Sequence, residues 1–185
     1  MDSLEKALFQ ANVLIVDDQE ANVALLTAIL RSAGYENVTS TTDSRNAVNL
    51  YLENKADILL LDIRMPYIDG FQVMERLNEK ISGDYLPILV LTAEASEEVM
   101  TKALANGAKD FLTKPFSRTE VLYRIRNILE VRLLHQDLQH QKNNLENIVE
   151  QRTQELSESR YEIIQRLGSA AEYKDNETGN HVLRM

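Results

Sequence analysis

Between residue 12 and about residue 116 the chain alternates short β-branched or leucine-rich runs with longer stretches whose apolar residues recur every three or four positions. That alternation is the mark of βα units wound around a parallel sheet. It predicts strands over Val13–Val16, Asn37–Thr41, Ile58–Leu61, Ile88–Leu91 and Asp110–Leu112. Helices are expected near Glu20–Ser32, Ser44–Glu53, Gly70–Glu79 and Glu97–Asn106. The unbroken runs VLIV, ILLL and ILVL suit central strands covered on both faces. Ala33-Gly34 and Asn106-Gly107 supply helix stops, because glycine takes the left-handed conformation at little cost. The expected fold is a small α/β domain with a doubly wound, five-stranded parallel sheet.

From Ser117 the pattern changes. No proline and no further strand signal follow, glycine is absent until Gly168, and Leu, Glu, Gln, Arg and Asn dominate. One helix of roughly fifty residues is the economical reading. Val131, Leu134, Leu138, Leu145 and Ile148 keep a heptad register, with Gln141 as a polar exception in the seam. The register then shifts to Val149, Leu156, Ile163 and Ala170, with Arg152, Ser159 and Arg166 at the intervening seam positions. An insertion of this kind is a stutter, which locally unwinds a coiled coil. A helix this long cannot bury its leucines alone, so a homodimer through a coiled coil is expected; the pattern leaves parallel and antiparallel pairing open. The domain boundaries expected are 1–117 for the sheet domain, 118–167 for the helix and 168–185 for a further segment.

Composition narrows the function classes. The 185-residue chain has a net charge of -9, which repels nucleic acid and argues against DNA binding. No apolar run approaches bilayer-spanning length, and the start MDSLEKALFQ lacks the features of a secretory signal, so no membrane partner and a cytoplasmic location are expected. Without cysteine, neither disulfides nor thiolate metal sites are available.

In an open parallel sheet the reactive site lies beyond the carboxyl ends of the strands. Asp17 and Asp18 follow VLIV, Asp62 follows ILLL, Thr92 follows ILVL, and Lys114 follows FLT. All five should converge on one sheet edge. Three carboxylates together invite a hard cation such as magnesium, and Lys114 adds a positive charge. In such a site Asp62 can attack a phosphoryl group while Thr92 donates a hydrogen bond to a transferring oxygen, the product being an acyl phosphate.

The segments VLIVDD, LLLDIRMPYIDG, LTA and FLTKPF, with their separations from Asn12 to Asn127, resemble the response-regulator receiver family. The resemblance implies a flavodoxin-like sheet of order 2-1-3-4-5. It also implies Asp62 as phosphoacceptor, with Mg2+ held by Asp17, Asp18, Asp62 and the backbone carbonyl of Arg64. Thr92 and Lys114 would sense the phosphoryl group, Lys114–Pro115 would be a cis peptide, and Phe111 would be the switch aromatic that fills the space Thr92 vacates. The implied partner is a sensor histidine kinase or phosphotransfer protein. Arg64 and Glu94 stand two residues beyond Asp62 and Thr92, and their opposite charges are expected to pair over the site mouth and slow loss of the phosphoryl group.

The last residues, RLGSAAEYKDNETGNHVLRM, interrupt the coiled-coil pattern at Gly168 and Gly179 and resemble the opening of the HD-GYP family of cyclic di-GMP phosphodiesterases. The resemblance implies that Glu177 and His181 are metal ligands, spaced to share a helix face. The family's His-Asp pair, GYP segment and remaining ligands are absent, and two ligands cannot hold a hydrolytic di-metal centre. The chain alone is therefore expected to lack phosphodiesterase activity. His135 and His140 read as surface or seam residues of the long helix. Two functions compete: the input module of a longer cyclic di-GMP phosphodiesterase, or a non-catalytic switch acting by phosphorylation-dependent dimerisation or partner docking. A histidine kinase would need a dimerisation-motif histidine and a nucleotide-binding region, and the sequence has neither.

Overall fold

A computed structural model describes residues 3–81, 85–93 and 96–182, with the backbone alone described for residue 3 and for residues 168–182. The chain divides into two compact units, 1–136 and 137–185. In the first, five parallel strands stand in the order β2-β1-β3-β4-β5: β1 (Val13–Val16), β2 (Val38–Thr41), β3 (Ile58–Asp62), β4 (Ile88–Thr92) and β5 (Asp110–Thr113). The helices are α1 (Ser3–Phe9), α2 (Glu20–Ser32), α3 (Ala47–Glu53, after a 3-10 turn at Ser44–Asn46), α4 (Gly70–Lys80), α5 (Glu97–Ala105) and α6 (Arg118–Val182).

The apolar runs explain themselves through burial. Successive strand residues point to opposite faces, so Leu14, Leu59, Leu61, Ile88 and Val90 enter one core with Val73, Met74 and Leu77 of α4. Val13, Ile15, Leu60, Leu89 and Leu91 enter the other, against Leu26 and Leu30 of α2 and Val121, Ile125 and Leu129 of α6. A strand with helices on both sides has no position left for a polar residue until its end.

Most elements fall where the pattern predicts them. Gly34 and Gly107 end their helices at φ +101 and +100. β2 starts one residue later than expected, at Val38, and β3, β4 and β5 each run one residue longer, to Asp62, Thr92 and Thr113. The Ser44–Glu53 helix opens as a 3-10 turn capped by the Asp43 carboxylate, which accepts from Arg45 N at 3.0 Å. α1 was not expected: its seven residues carry too little periodicity to register, yet Leu8 is buried and the Phe9 ring meets Tyr35 edge-on at 5.5 Å.

α6 is longer than the roughly fifty residues expected, running 65 residues without a break at Gly168 or Gly179. A glycine costs a helix interior about 1 kcal/mol, too little to end one by itself. His135 is half-buried at the surface, where its ring stacks on Tyr85 at 5.6 Å. Beside it, Gln136 donates to Asp57 Oδ1 at 3.1 Å and Arg132 donates to the Tyr85 carbonyl at 3.1 Å. These contacts tie α6 to the end of the sheet opposite the acidic residues. His140 is exposed.

Candidate functional site

Strand register assembles the site. Val16 of β1 pairs with Leu61 of β3, Asp62 with Leu91 of β4, and Thr92 with Thr113 of β5. The residues at or just beyond these pairs are Asp17, Asp62, Thr92 and Lys114, so four segments deliver their chemistry to one edge. β2 lies on one side of β1 and β3 on the other, which opens a crevice beyond their carboxyl ends. Asp17, Asp18 and Asp62 can each offer a carboxylate oxygen within 4.8 Å of the others.

Asp17 is fully buried. Its Oδ1 accepts from Gln19 N and from Asn22 Nδ2, both at 3.0 Å, and its Oδ2 accepts from Asn22 at 3.1 Å. Lys114 Nζ lies 2.7 Å from Asp17 Oδ2 and 3.2 Å from Asp62 Oδ1, so one ammonium bridges two carboxylates. The Lys114–Pro115 peptide is cis, and Lys114 N donates to the Thr92 carbonyl at 2.8 Å. Burial pushes the Asp62 carboxyl above its ordinary range; the Lys114 ammonium opposes the rise, while Asp17 and Asp18 add to it.

A magnesium ion fits this donor set. Asp18 Oδ1 is buried and has no hydrogen-bond partner, which is costly unless a cation satisfies it. All three side chains offer hard oxygen ligands to a small, incomplete cage of the kind magnesium tolerates by keeping waters.

Two loops set the position of Asp62. Gly70, the first residue of α4, donates its N–H to the Ile63 carbonyl at 2.9 Å. A Cβ at Gly70 would lie 2.5 Å from the Asp62 carbonyl oxygen and 2.9 Å from Ile63 Cα. Only glycine lets α4 start this close to the strand end. Behind it, Asp69 and Gln72 form a reciprocal capping box, with bonds of 2.8 and 3.1 Å. The buried Ser44 hydroxyl donates to the Pro66 carbonyl at 2.8 Å and accepts from Ile68 N at 3.3 Å, pinning the intervening turn.

Thr92 is buried at the end of β4, and Phe111 is half-buried against the same core as Val90. The Arg124 guanidinium of α6 lies 5.8 Å from the Phe111 ring centroid and holds both carboxylate oxygens of Asp110 at 2.7 Å. Arg64 is exposed, and Glu94 lies outside the described residues, as do the side chains of Glu177 and His181. Asn22, Gly70, Ser44 and Arg124 escaped the sequence reading. The glycine of IDG, eight positions after Asp62, was a visible signal; the other three carry none until the fold brings them to their partners.

Fold and site together define a receiver-type domain, with an acidic crevice at the switch point of a doubly wound sheet. A family model described as the response regulator receiver domain matches residues 13–126, and the chain belongs to that family. Receiver domains bind magnesium at such a cluster and interact with histidine kinases or phosphotransfer proteins. The chain is 32% identical to the cyclic di-GMP phosphodiesterase response regulator RpfG of Xanthomonas campestris, over 98% of this chain and 48% of that protein. It is 30% identical to a probable cyclic di-GMP phosphodiesterase of Vibrio cholerae, over 96% of this chain and 40% of that protein. The chain thus spans less than half the length of either relative. Among solved structures it resembles the receiver domain of the Pseudomonas aeruginosa sensor histidine kinase PA1611, whose active-site cleft coordinates a magnesium ion. The TM-score is 0.60 at 31% identity, covering 65% of this chain and 98% of that one. Among the described residues, no helix is long and apolar enough to cross a membrane.

Proposed function

We propose that this chain is the phosphorylation-controlled input module of a cyclic di-GMP phosphodiesterase, with Asp62 as phosphoacceptor. The observation that carries the reading is the convergence of Asp17, Asp18 and Asp62 within 4.8 Å at strand ends that also present Lys114.

An Asp62 carboxylate oxygen attacks the phosphorus of a phosphohistidine on the donor protein. The new P–O bond forms as the P–N bond breaks, and the leaving imidazole nitrogen keeps the electron pair. A magnesium ion held by Asp17, Asp18, Asp62 and the Arg64 backbone carbonyl would offset charge on the phosphoryl oxygens. Lys114 neutralises a further oxygen, and Thr92 donates a hydrogen bond to another. As Thr92 moves toward the phosphoryl group, the Phe111 ring follows into the vacated space and disturbs the neighbouring Asp110–Arg124 contact, passing the event to α6.

In this reading residues 1–117 form the receiver, 118–167 a transmitting helix that pairs with a second copy, and 168–185 the start of the output domain. Glu177 and His181 contribute to a di-metal centre completed by ligands that this sequence does not contain. The phosphodiesterase relatives support this, because both align through nearly the whole chain and not through the receiver alone. The module works in the cytoplasm, beside its kinase. Incubation with radiolabelled acetyl phosphate and Mg2+ tests the site: labelling should be lost in Asp62→Asn, and undiminished labelling of that variant overturns the assignment.

A further inference from the structure

We propose that α6 beyond Gln136 pairs with a second copy of this chain in parallel and in register, the orientation being set by charges that flank its apolar stripe. The inference rests on the dimeric reading above. Leu138, Leu145, Val149, Leu156 and Ile163 are each between 54% and 65% exposed, a stripe with no cover in the single chain. Their spacing of seven, four, seven and seven residues keeps one face throughout, with the stutter at Leu145–Val149.

The two flanks of that stripe differ in sign. Immediately before a stripe residue stand the acids Asp137, Glu155 and Glu162, and four residues after one stand the bases Lys142 and Arg160. The remaining flank positions up to Leu167 are uncharged. In a parallel pair the leading flank of one helix lies against the trailing flank of the other, five residues further on. Asp137 then meets Lys142 of the second copy, and Glu155 meets its Arg160. The two-fold axis repeats both pairs. In an antiparallel pair leading flank meets leading flank and trailing meets trailing, so every charged contact is acid on acid or base on base in any register. Single exposed ion pairs are weak, but here the sign of the whole set reverses between orientations.

One polar position of the seam suits this choice. Gln141 would face its own copy, amide to amide, as polar seam residues that fix register do. Arg152 and Arg166 would also face their copies, which opposes pairing. Each is already drawn toward an acid on its own leading flank: Arg152 Nη1 lies 2.8 Å from Glu155 Oε2, and Arg166 Nη2 lies 3.7 Å from Glu162 Oε2. Their stems can line the seam while their heads reach the rim. Lys142 approaches Glu146 of its own helix only at 3.8 Å, a weak competitor.

The chain contains no cysteine, which makes the test clean. Leu145→Cys and Leu156→Cys, made separately in the full chain with tags of different size, are oxidised alone and as a mixture, with Mg2+ and beryllofluoride present. Parallel pairing yields self-linked dimers from each variant and almost none joining the two, because positions 145 and 156 stand about 16 Å apart along the axis. A second arm measures dimer affinity by sedimentation. Lys142→Glu with Arg160→Glu should weaken it by roughly tenfold, and adding Asp137→Lys with Glu155→Lys should restore it. Predominant links between the two variants, or a charge-reversed pair that dimerises unchanged, overturn the orientation and leave the dimer standing. A chain that stays monomeric at all concentrations overturns both.

Discussion

Replacing Gly70 by alanine sets two effects against each other, and the structure decides between them. Alanine favours helix over glycine by up to about 1 kcal/mol and removes some freedom from the unfolded chain. Against that, the added methyl would sit 2.5 Å from the Asp62 carbonyl oxygen and 2.9 Å from Ile63 Cα. Comfortable contacts are about 3.5 Å, so the overlap is near 1 Å on backbone atoms that cannot rotate away. Overpacking costs about 1–3 kcal/mol, and because this overlap falls on backbone atoms it belongs in the upper part of that range, so the net loss should be about 1–2 kcal/mol. For a domain of this size that lowers the melting temperature by roughly 4–10 °C. Calorimetry is the suitable assay, because α6 dominates the far-ultraviolet dichroism. The atoms that must give way belong to Asp62 itself, so labelling by acetyl phosphate should slow in parallel. An alanine variant as stable as the parent and labelled at the same rate would refute the claim that α4 begins at the limit of approach to the phosphoacceptor.

Asp62 gives a pH prediction. Its folded carboxyl titrates above the ordinary 3.8, so between the two values the folded protein holds a proton that the unfolded chain has released. Stability therefore falls as pH rises through that window. In metal-free buffer Asp62→Asn should be more stable than the parent at neutral pH, with the gap closing below the ordinary carboxylate value; a constant gap at all pH values contradicts the burial argument. Asn22→Ala removes both side-chain amide bonds to Asp17. It should weaken Mg2+ binding by about tenfold while the fold survives, and titration calorimetry showing parental affinity would dismiss Asn22 as a positioning residue. The Arg64→Ala, Glu94→Ala double variant should lose its phosphoryl group faster than the parent in a decay assay, and equal rates remove the idea that the pair restricts water.

The sheet and the acidic residues were legible in the amino-acid order because both follow from one-dimensional rules. A strand buried on two faces must be apolar throughout, which marks VLIV, ILLL and ILVL, and the reactive groups must then be the first polar residues after each run. Asp17, Asp62 and Thr92 obey that rule, while Lys114 stands one place beyond Thr113, the last residue of β5. The seven-residue repeat beyond Leu134 was equally readable, because a helix stripe is written in spacing alone. Tertiary structure decided what spacing cannot encode. Lys114 reaches Asp17 across 97 positions, Gly70 must be glycine because the Asp62 backbone lies beneath it, and His135 is half-buried because Tyr85 stacks on it. Periodicity states which face a residue occupies; strand order and register state what stands opposite, and those are properties of the assembled sheet.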